Sequence, residues 1–269
     1  AENNFFTPAQ ILGCNPLTIT DYRRLLVDIP GVKNAWLIVA EDITVQKICG
    51  LDRFPPTNYP RISSCINFLN GLYHVYLDLE GEPNDAGKRK IVEEVKKSLM
   101  SHRNLCEDYY DITILCKQKI GVCADVELDP SADPNKVFLQ LIETLRDFFS
   151  PSPKFYRLRQ LVEEKGKSIE EVFAGRPFDL TQSHGFVDME EFEKIELKKE
   201  IHVSDIYNTI FSIPGINSIR NLTVQNCDGS RCLDQGIPAW IFKIYENHVP
   251  DFSLDCSGFQ FTQNGGTVI

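Results

Sequence analysis

The opening stretch, "AENNFFTPAQILGCNPLTIT", has no basic leader and no long apolar segment, and no run anywhere in the chain approaches the roughly 20 apolar residues of a membrane-spanning helix. These absences predict a soluble, unsecreted protein made in the cytoplasm, without membrane insertion. Positive charge is also scarce: 28 Lys and Arg stand against 38 Asp and Glu, for a net charge of -10. The basic residues are scattered rather than striped, and the negative charge argues against a nucleic-acid or anionic-membrane role, because both need cations facing phosphates.

Catalytic motifs are missing as well. There is no GxSxG, no HExxH, no phosphate-cradling glycine loop and no dinucleotide fingerprint. "DCSG", residues 255 to 258, superficially resembles a protease nucleophile with His248 close in sequence, but proximity in sequence does not build a triad. His74, His102, His184 and His202 lack a second ligand at i+3 or i+4. The acidic run "DMEEFEKIE" has the composition of a solvated face. Nine cysteines, an odd number without a dense framework, fit reduced thiols better than disulfides. The closest pairs, Cys116 with Cys123 and Cys227 with Cys232, do not have zinc-knuckle spacing. The sequence therefore predicts no enzyme, no cofactor and no metal.

What is present is a globular composition. The 269 residues, 42% hydrophobic and 25% charged, can bury a sizeable core in two or three small domains. An internal echo organises them. "DYRRLLVDIPGVKNAWLIV" returns as "SDIYNTIFSIPGINSIRNLTV" without gaps at an offset of 184, so that Ile29-Pro30-Gly31-Val32 falls on Ile213-Pro214-Gly215-Ile216.

In each copy Thr20 or Ser204 can cap a short helix, with Asp21 or Asp205 complementing its positive end. Leu25, Leu26 and Ile29, and Ile206, Ile210 and Ile213, give each helix one buried face. Proline stops the helix, and Pro30-Gly31 and Pro214-Gly215 suit a type II turn in which glycine takes positive φ. Strands follow, from Val32 to Ala40 and from Ile216 to Val224.

A second echo lies between "LYHVYLDLEGEPNDAGKRKIVEEVKKSL" and "IGVCADVELDPSADPNKVFLQLIETLRDFF", each reading strand, acidic turn and helix, with Leu77 and Leu79 answered by Val126 and Leu128. In the later helix Val137, Phe138, Leu141, Ile142, Leu145, Phe148 and Phe149 form a broad apolar stripe behind an Asp133 cap and Pro134 at the first position. "DITILCKQKIGVCADVELD" splits into two strands near Lys119, giving β-α-β-β-α, and "KIELKKEIHV" is the candidate closing strand of a ferredoxin-like sandwich.

Ser168 with Glu171 starts a short helix through Phe173 inside an irregular stretch. The expected fold class is α+β: ferredoxin-like units flanked by two similar helix-turn-strand units. The expected domains are 1–70 (first unit and a long loop), 71–150 (ferredoxin-like), 151–194 (connector) and 195–269 (second unit).

The order of six stretches, "LTITDYRRLLVDIPGVKNAWL", "NGLYHVYLDLEG", "VELDPSADPNKV", "KGKSIEEVFAGRPF", "HGFVDMEEF" and "VSDIYNTIFSIPGI", resembles the baseplate J family. Those are wedge proteins of contractile phage tails and of phage-tail-like injection systems. "GVKNAWL" and "EEVFAGRPF" look most similar to the large baseplate proteins of extracellular contractile injection systems.

The resemblance implies a structural wedge component beneath the sheath, with no active site to carry over. Its implied partners are other baseplate wedge, hub and sheath-proximal proteins, with a second copy or paralogue as a further candidate. Family members of the injection-system type are often longer, and this chain opens almost directly on the first helix unit.

Interfaces rather than pockets would then carry function, and aromatic residues are the natural anchors: Trp36, Phe54 and Tyr59 in the N-terminal part, Trp240 and Phe242 near the C-terminus. Two other readings of the residues stay open. One is a ferredoxin-like small-molecule-binding regulator, whose effector cleft would need the glycines around Gly81 and Gly121. The other is a hydrolase using Cys256 or the acidic cluster.

Overall fold

The computed structural model describes residues 6–40, 71–175, 184–227 and 240–268. The fold is mixed α+β, with strands in several small sheets. In chain order the elements are α1 (Pro8–Leu12), α2 (Ile19–Val27), β1 (Val32–Val39), β2 (Leu72–Leu79), α3 (Asp85–Ser101), β3 (Asp108–Ile114), β4 (Cys116–Leu128) and α4 (Pro134–Phe149). There follow β5 (Phe155–Tyr156), a π-helical turn (Gln160–Glu164), α5 (Ile169–Phe173), β6 (Phe186–Val187) and α6 (Met189–Glu193). The chain continues with β7 (Glu200–His202), α7 (Val203–Phe211), β8 (Ile216–Asn226), β9 (Ile241–Lys243), β10 (His248–Phe252), a 3-10 turn (Leu254–Cys256), β11 (Gly258–Gln263) and β12 (Gly266–Thr267).

Two compact units divide this chain. One holds residues 1–114 and 153–194, the other 115–152 and 195–269. The stretch 71–150, expected to be one ferredoxin-like domain, is thus shared between them. Its strands separate at Leu115 rather than near Lys119, and β3 and β4 enter different sheets. The closing strand also differs from expectation. Only Glu200–His202 of "KIELKKEIHV" is extended, it pairs with β9, and a helix begins at Val203, whose N–H donates to the carbonyl of Trp240. Periodicity identified strands here but could not say which strands meet, because pairing is decided by long-range burial.

The helix-turn-strand echo is realised in full. The helices α2 and α7 and the starts of β1 and β8 stand at the same offset of 184. Gly31 and Gly215 have φ of 91° and 96°. In each turn the N–H after the glycine donates back across Pro-Gly, from Val32 to Ile29 (3.0 Å) and from Ile216 to Ile213 (3.3 Å). The caps lie earlier than expected. Thr18, not Thr20, caps α2 and forms a reciprocal box with Asp21, while His202 occupies the cap position of α7 without a side-chain bond.

The two echoes prove to be halves of one module. β1 pairs antiparallel with β2, Val32 facing Leu79, and β8 pairs antiparallel with β4, Ile216 facing Leu128; each register shifts directly after that first pair. The same backbone bond locks both, from Glu80 N–H to Gly31 O (3.0 Å) and from Asp129 N–H to Gly215 O (2.9 Å). Each central strand then runs into a capped helix, α3 behind Asn84 and α4 behind Asp133. On its other edge it takes a parallel neighbour, β3 beside β2, and β10 then β11 beside β4. Chain order differs between the copies: helix-strand comes first in one unit and strand-helix first in the other.

Each copy buries its own core. Leu25, Leu26, Val75, Leu77, Val95 and Leu99 lie inside the first. The predicted stripe of α4 does so in the second, Val137, Leu141, Ile142, Leu145 and Phe149 being buried while Phe138 and Phe148 pack at its edge. A side chain at either turn glycine would be strained by φ and crowded, since a Cβ would sit 2.8 Å from Ile91 Cδ1 at Gly31 and 2.9 Å from Ala132 Cβ at Gly215. Gly31→Val and Gly215→Val are each expected to cost about 1–3 kcal/mol in urea unfolding. Unchanged midpoints would contradict the turn's role.

Candidate functional site

Residues 153–175 and 184–194, from the stretch 151–194 expected as a connector, are a packed layer of the first unit. Ser168 starts α5 as predicted, accepting from Glu171 N–H, and the helix ends at Phe173. Leu161, Val172, Phe173 and Phe186 form a small core, with Leu12, Tyr156 and Leu158 against it. The acidic run is more than a solvated face. Asp188 is buried and caps α6, and Lys165 Nζ donates to Asp188 Oδ2 (2.7 Å) and Glu191 Oε1 (2.6 Å), while Lys167 reaches Glu190 (2.5 Å). The carboxylates of Asp188 and Glu191 raise the Lys165 pKa above the ordinary lysine value. Lys165 and the Tyr156 hydroxyl hold Glu191 below the usual carboxylate range. Burial pushes Asp188 upward, but Lys165 and Lys167 outweigh it and leave it lowered as well.

This layer covers α2 on its outer side through two arginines whose burial the sequence did not reveal. Arg24, 1% exposed, donates through Nη1 to Ala174 O (2.7 Å) and through Nη2 to Val172 O (3.2 Å), at the carbonyl end of α5. Arg23 donates from Nε to Ala35 O (2.7 Å), and its guanidinium stacks 4.6 Å from the Phe192 ring centre. Asp21, Tyr22, Arg23, Arg24 and Val27 are all buried, so α2 is enclosed on every side.

Among the described residues the equivalent helix α7 is enclosed on one side only. Ile206 and Ile210 are buried. Asp205, Tyr207, Asn208 and Phe211, which answer Asp21, Arg23, Arg24 and Val27, are exposed, Tyr207 at 38% and Phe211 at 50%. The two rings stack with centres 6.3 Å apart at 15°, and the Tyr207 hydroxyl donates to Ile219 O (3.3 Å). Lys198 donates from its ammonium to Phe148 O; burial lowers its pKa and Asp205 opposes that shift. The exposed part of α7 therefore carries the stacked rings of Tyr207 and Phe211, while Asp205, two and six residues away, points to another side of the helix.

The predicted anchors separate. Trp240 is 79% exposed at the N-terminal end of α7, to which its carbonyl is bonded. Phe242 is half-buried against the second core. Trp36, by contrast, is buried in β1 near Arg23, so its ring belongs to the interior. Phe54 and Tyr59 lie outside the described residues. The signal for the Tyr207–Phe211 face was present in the sequence as a difference between the copies, "DYRRLLV" against "DIYNTIF".

The other residues weighed from sequence do not converge. Cys256 is joined to Cys227, with Cα atoms 5.6 Å apart, which corrects the expectation of reduced thiols. Cysteine spacing could not show it, because the pair is brought together by β8 and the 3-10 turn meeting over β4. Cys14, Cys106 and Cys116 are free and exposed. His248 Nδ1 lies 2.7 Å from Glu246 O. Among the described residues no three His, Cys, Asp or Glu side chains are grouped to hold a metal, and no helix is long and apolar enough to cross a membrane. A cavity of about 240 Å³ between α3 and β3 is lined by Val92, Lys96, Met100, Tyr109 and Asp111 among others, and by no glycine. Gly121 is not a turn residue but sits inside β4, and the space over it is filled by Cys256.

No protein-family model matches the chain, and no curated protein matches it. Among solved structures it is similar to a chain of the anti-feeding prophage (AFP) baseplate, determined by cryo-EM and six-fold symmetrised. The TM-score is 0.59 at 18% identity, covering 97% of this chain and 44% of that one. The chain thus shares that protein's fold while spanning less than half of its length.

Proposed function

We propose that this protein is a structural component of the baseplate of a contractile injection system or phage-like tail. We assign it to the wedge that links baseplate parts beneath the sheath, with other wedge, hub and sheath-proximal proteins as partners and no catalytic activity of its own. The observation that carries this reading is the likeness to the baseplate chain over nearly the whole sequence. The order of the six sequence stretches, read independently, points the same way. A wedge must hold neighbours rigidly and then let the assembly rearrange, so its work resides in interfaces rather than in a pocket. A solvent-facing aromatic surface on a well-buried scaffold suits that demand.

The small-molecule reading has less to stand on, because the space over Gly121 is filled by Cys256 and the cavity beside α3, which no glycine lines, is below the usual size of ligand sites. The deciding experiment is deletion of the gene from its host, with electron microscopy of the particles. Loss of assembled baseplates, restored by the gene supplied in trans, is the expected result. Normal contractile particles from the deletion strain would overturn the assignment.

A further inference from the structure

The cystine of the second unit crosses a strand. Cys227 follows β8 on one edge of β4, its N–H donating to Lys119 O (3.0 Å), while Cys256 stands in the 3-10 turn that joins β10 to β11 on the other edge. Their bond therefore passes over the face of β4. Gly121 makes room for it: a Cβ there would lie 2.2 Å from Cys256 O and 3.1 Å from Cys256 Sγ. At the matching distance from the Pro-Gly turn in the first unit, β2 carries Leu72 and takes one unbroken parallel neighbour, β3.

The fold places both sulfurs without help from the bond. β8 is paired to β4 as far as Asn226 opposite Ile120. The turn is seated by Ser253 N–H on Ile120 O (2.9 Å), by Val122 N–H on the Ser257 hydroxyl (3.0 Å) and by Gln225 Nε2 on Cys256 O (3.1 Å). The two Cα atoms stand 5.6 Å apart, inside the range that a disulfide requires. Both cysteines are half-buried rather than sealed in the core, so a small thiol or disulfide can reach them. Cys14, Cys106 and Cys116 remain free and exposed, which is not the fully paired framework of a chain stapled for oxidising surroundings.

We propose that Cys227 and Cys256 form a redox-operated clamp on β4, open as two thiols in reducing surroundings and closed as a cystine in oxidising ones. Closure is a thiol–disulfide exchange with a small-molecule disulfide. The thiolate of one cysteine attacks that disulfide and displaces one small thiol; the second cysteine attacks the mixed disulfide and displaces the other. The two cysteine thiols lose two electrons and two protons, and the small disulfide gains both in becoming two thiols. Closed, the bond ties the two edges of β4 to each other, so that neither β8 nor the β10–β11 corner can lift alone. Open, the corner rests on hydrogen bonds and packing. The reduced thiols expected from the sequence and the cystine in the structure are then two states of one site. The clamp belongs to the second unit itself and does not depend on the baseplate assignment.

The state of the pair can be read in the full chain, equilibrated in excess reduced glutathione or in equimolar reduced and oxidised glutathione, trapped with acid and N-ethylmaleimide, and digested without reduction. By mass spectrometry the peptide carrying Cys227 is expected to be mostly alkylated in the first buffer and mostly linked to the peptide carrying Cys256 in the second. Hydrogen exchange in 248–263 of the same samples should slow about threefold or more on closure. Cys227→Ser should exchange at the open rate in both buffers, and the wild-type comparison stands whether or not that variant folds. A pair that stays linked in excess reduced glutathione is a permanent staple and would overturn the clamp. So would a pair that stays alkylated in the second buffer, a link from Cys256 to a different cysteine, or equal exchange in linked and alkylated wild type. Buffer-dependent exchange in folded Cys227→Ser would overturn it as well.

Discussion

Arg24→Ala is expected to destabilise the first unit by about 3–5 kcal/mol, the cost of breaking a buried charged network by removing one member. The guanidinium is 1% exposed, and its two carbonyl acceptors, Val172 O and Ala174 O, lie at the C-terminal end of α5, where the helix dipole favours a cation. Alanine would leave both carbonyls unpaired and open a void between α2 and the layer of residues 153–175 and 184–194. Asp21 keeps its bonds from the N–H groups of Leu17 and Thr18, so α2 retains its cap. The loss should therefore appear as release of the layer rather than melting of the helix. Limited proteolysis should cut within 153–175 or 184–194 in the variant at protease levels that spare these residues in the wild type. Hydrogen exchange should rise in α5 and α6 while α4 and α7 stay protected. Arg24→Lys should recover only part of the stability, because a single ammonium does not reproduce the planar fork that spans two carbonyls. A variant as stable and protease-resistant as the wild type would show that the arginine does not hold the layer.

The same residue shows where sequence reasoning stops. The helix-Pro-Gly-strand units were legible because every determinant is local. Apolar spacing makes the helix, proline ends it, and glycine alone takes the φ near 90° that turns the chain into β1 and β8. The stripe of α4 was legible for the same reason, seven apolar residues at helical spacing behind an Asp-Pro start. Arg23 and Arg24 carried no such local sign. Two adjacent arginines on a short helix look solvated until a layer some 150 residues later in the chain closes over them. Strand partners were hidden equally. β4 accepts β8, β10 and β11, each from far along the chain, while its sequence neighbour β3 joins another sheet. The pairing of Cys227 with Cys256 follows from that arrangement and from nothing in the cysteine spacing. Among the predicted anchors, Trp240 is exposed and Trp36 is not. Composition cannot separate them, because tryptophan serves cores and interfaces alike.

Gly121→Val is expected to cost the second unit about 3 kcal/mol, at the upper end of what overpacking does, because the group in the way is backbone that is tied down. A Cβ at this position would lie 2.2 Å from the carbonyl oxygen of Cys256 and 2.9 Å from its carbon. The turn that carries this carbonyl is fixed on both sides. Ser253 N–H donates to Ile120 O (2.9 Å), the Ser257 hydroxyl accepts from Val122 N–H (3.0 Å), and Gln225 donates to the Cys256 carbonyl itself (3.1 Å). The disulfide to Cys227 adds a covalent anchor. The turn cannot yield without loosening β10 or β11 from the edge of β4, so valine at 121 transmits its clash to two strands. Urea unfolding of the variant should show the lower midpoint, and hydrogen exchange should rise in 248–263 before it rises in α4. Reduction gives the discriminating comparison: freeing Cys256 from Cys227 lets the turn lift, so the penalty of Gly121→Val should be smaller in reducing buffer than in oxidising buffer. Gly81→Asn serves as the control, since φ of 62° suits asparagine and nothing lies within 4 Å of the added Cβ, and its stability should change by less than about 1 kcal/mol. If Gly121→Val unfolds at the wild-type midpoint in both buffers, the turn does not seat on β4, and the packing that joins β10 and β11 to this sheet is wrong.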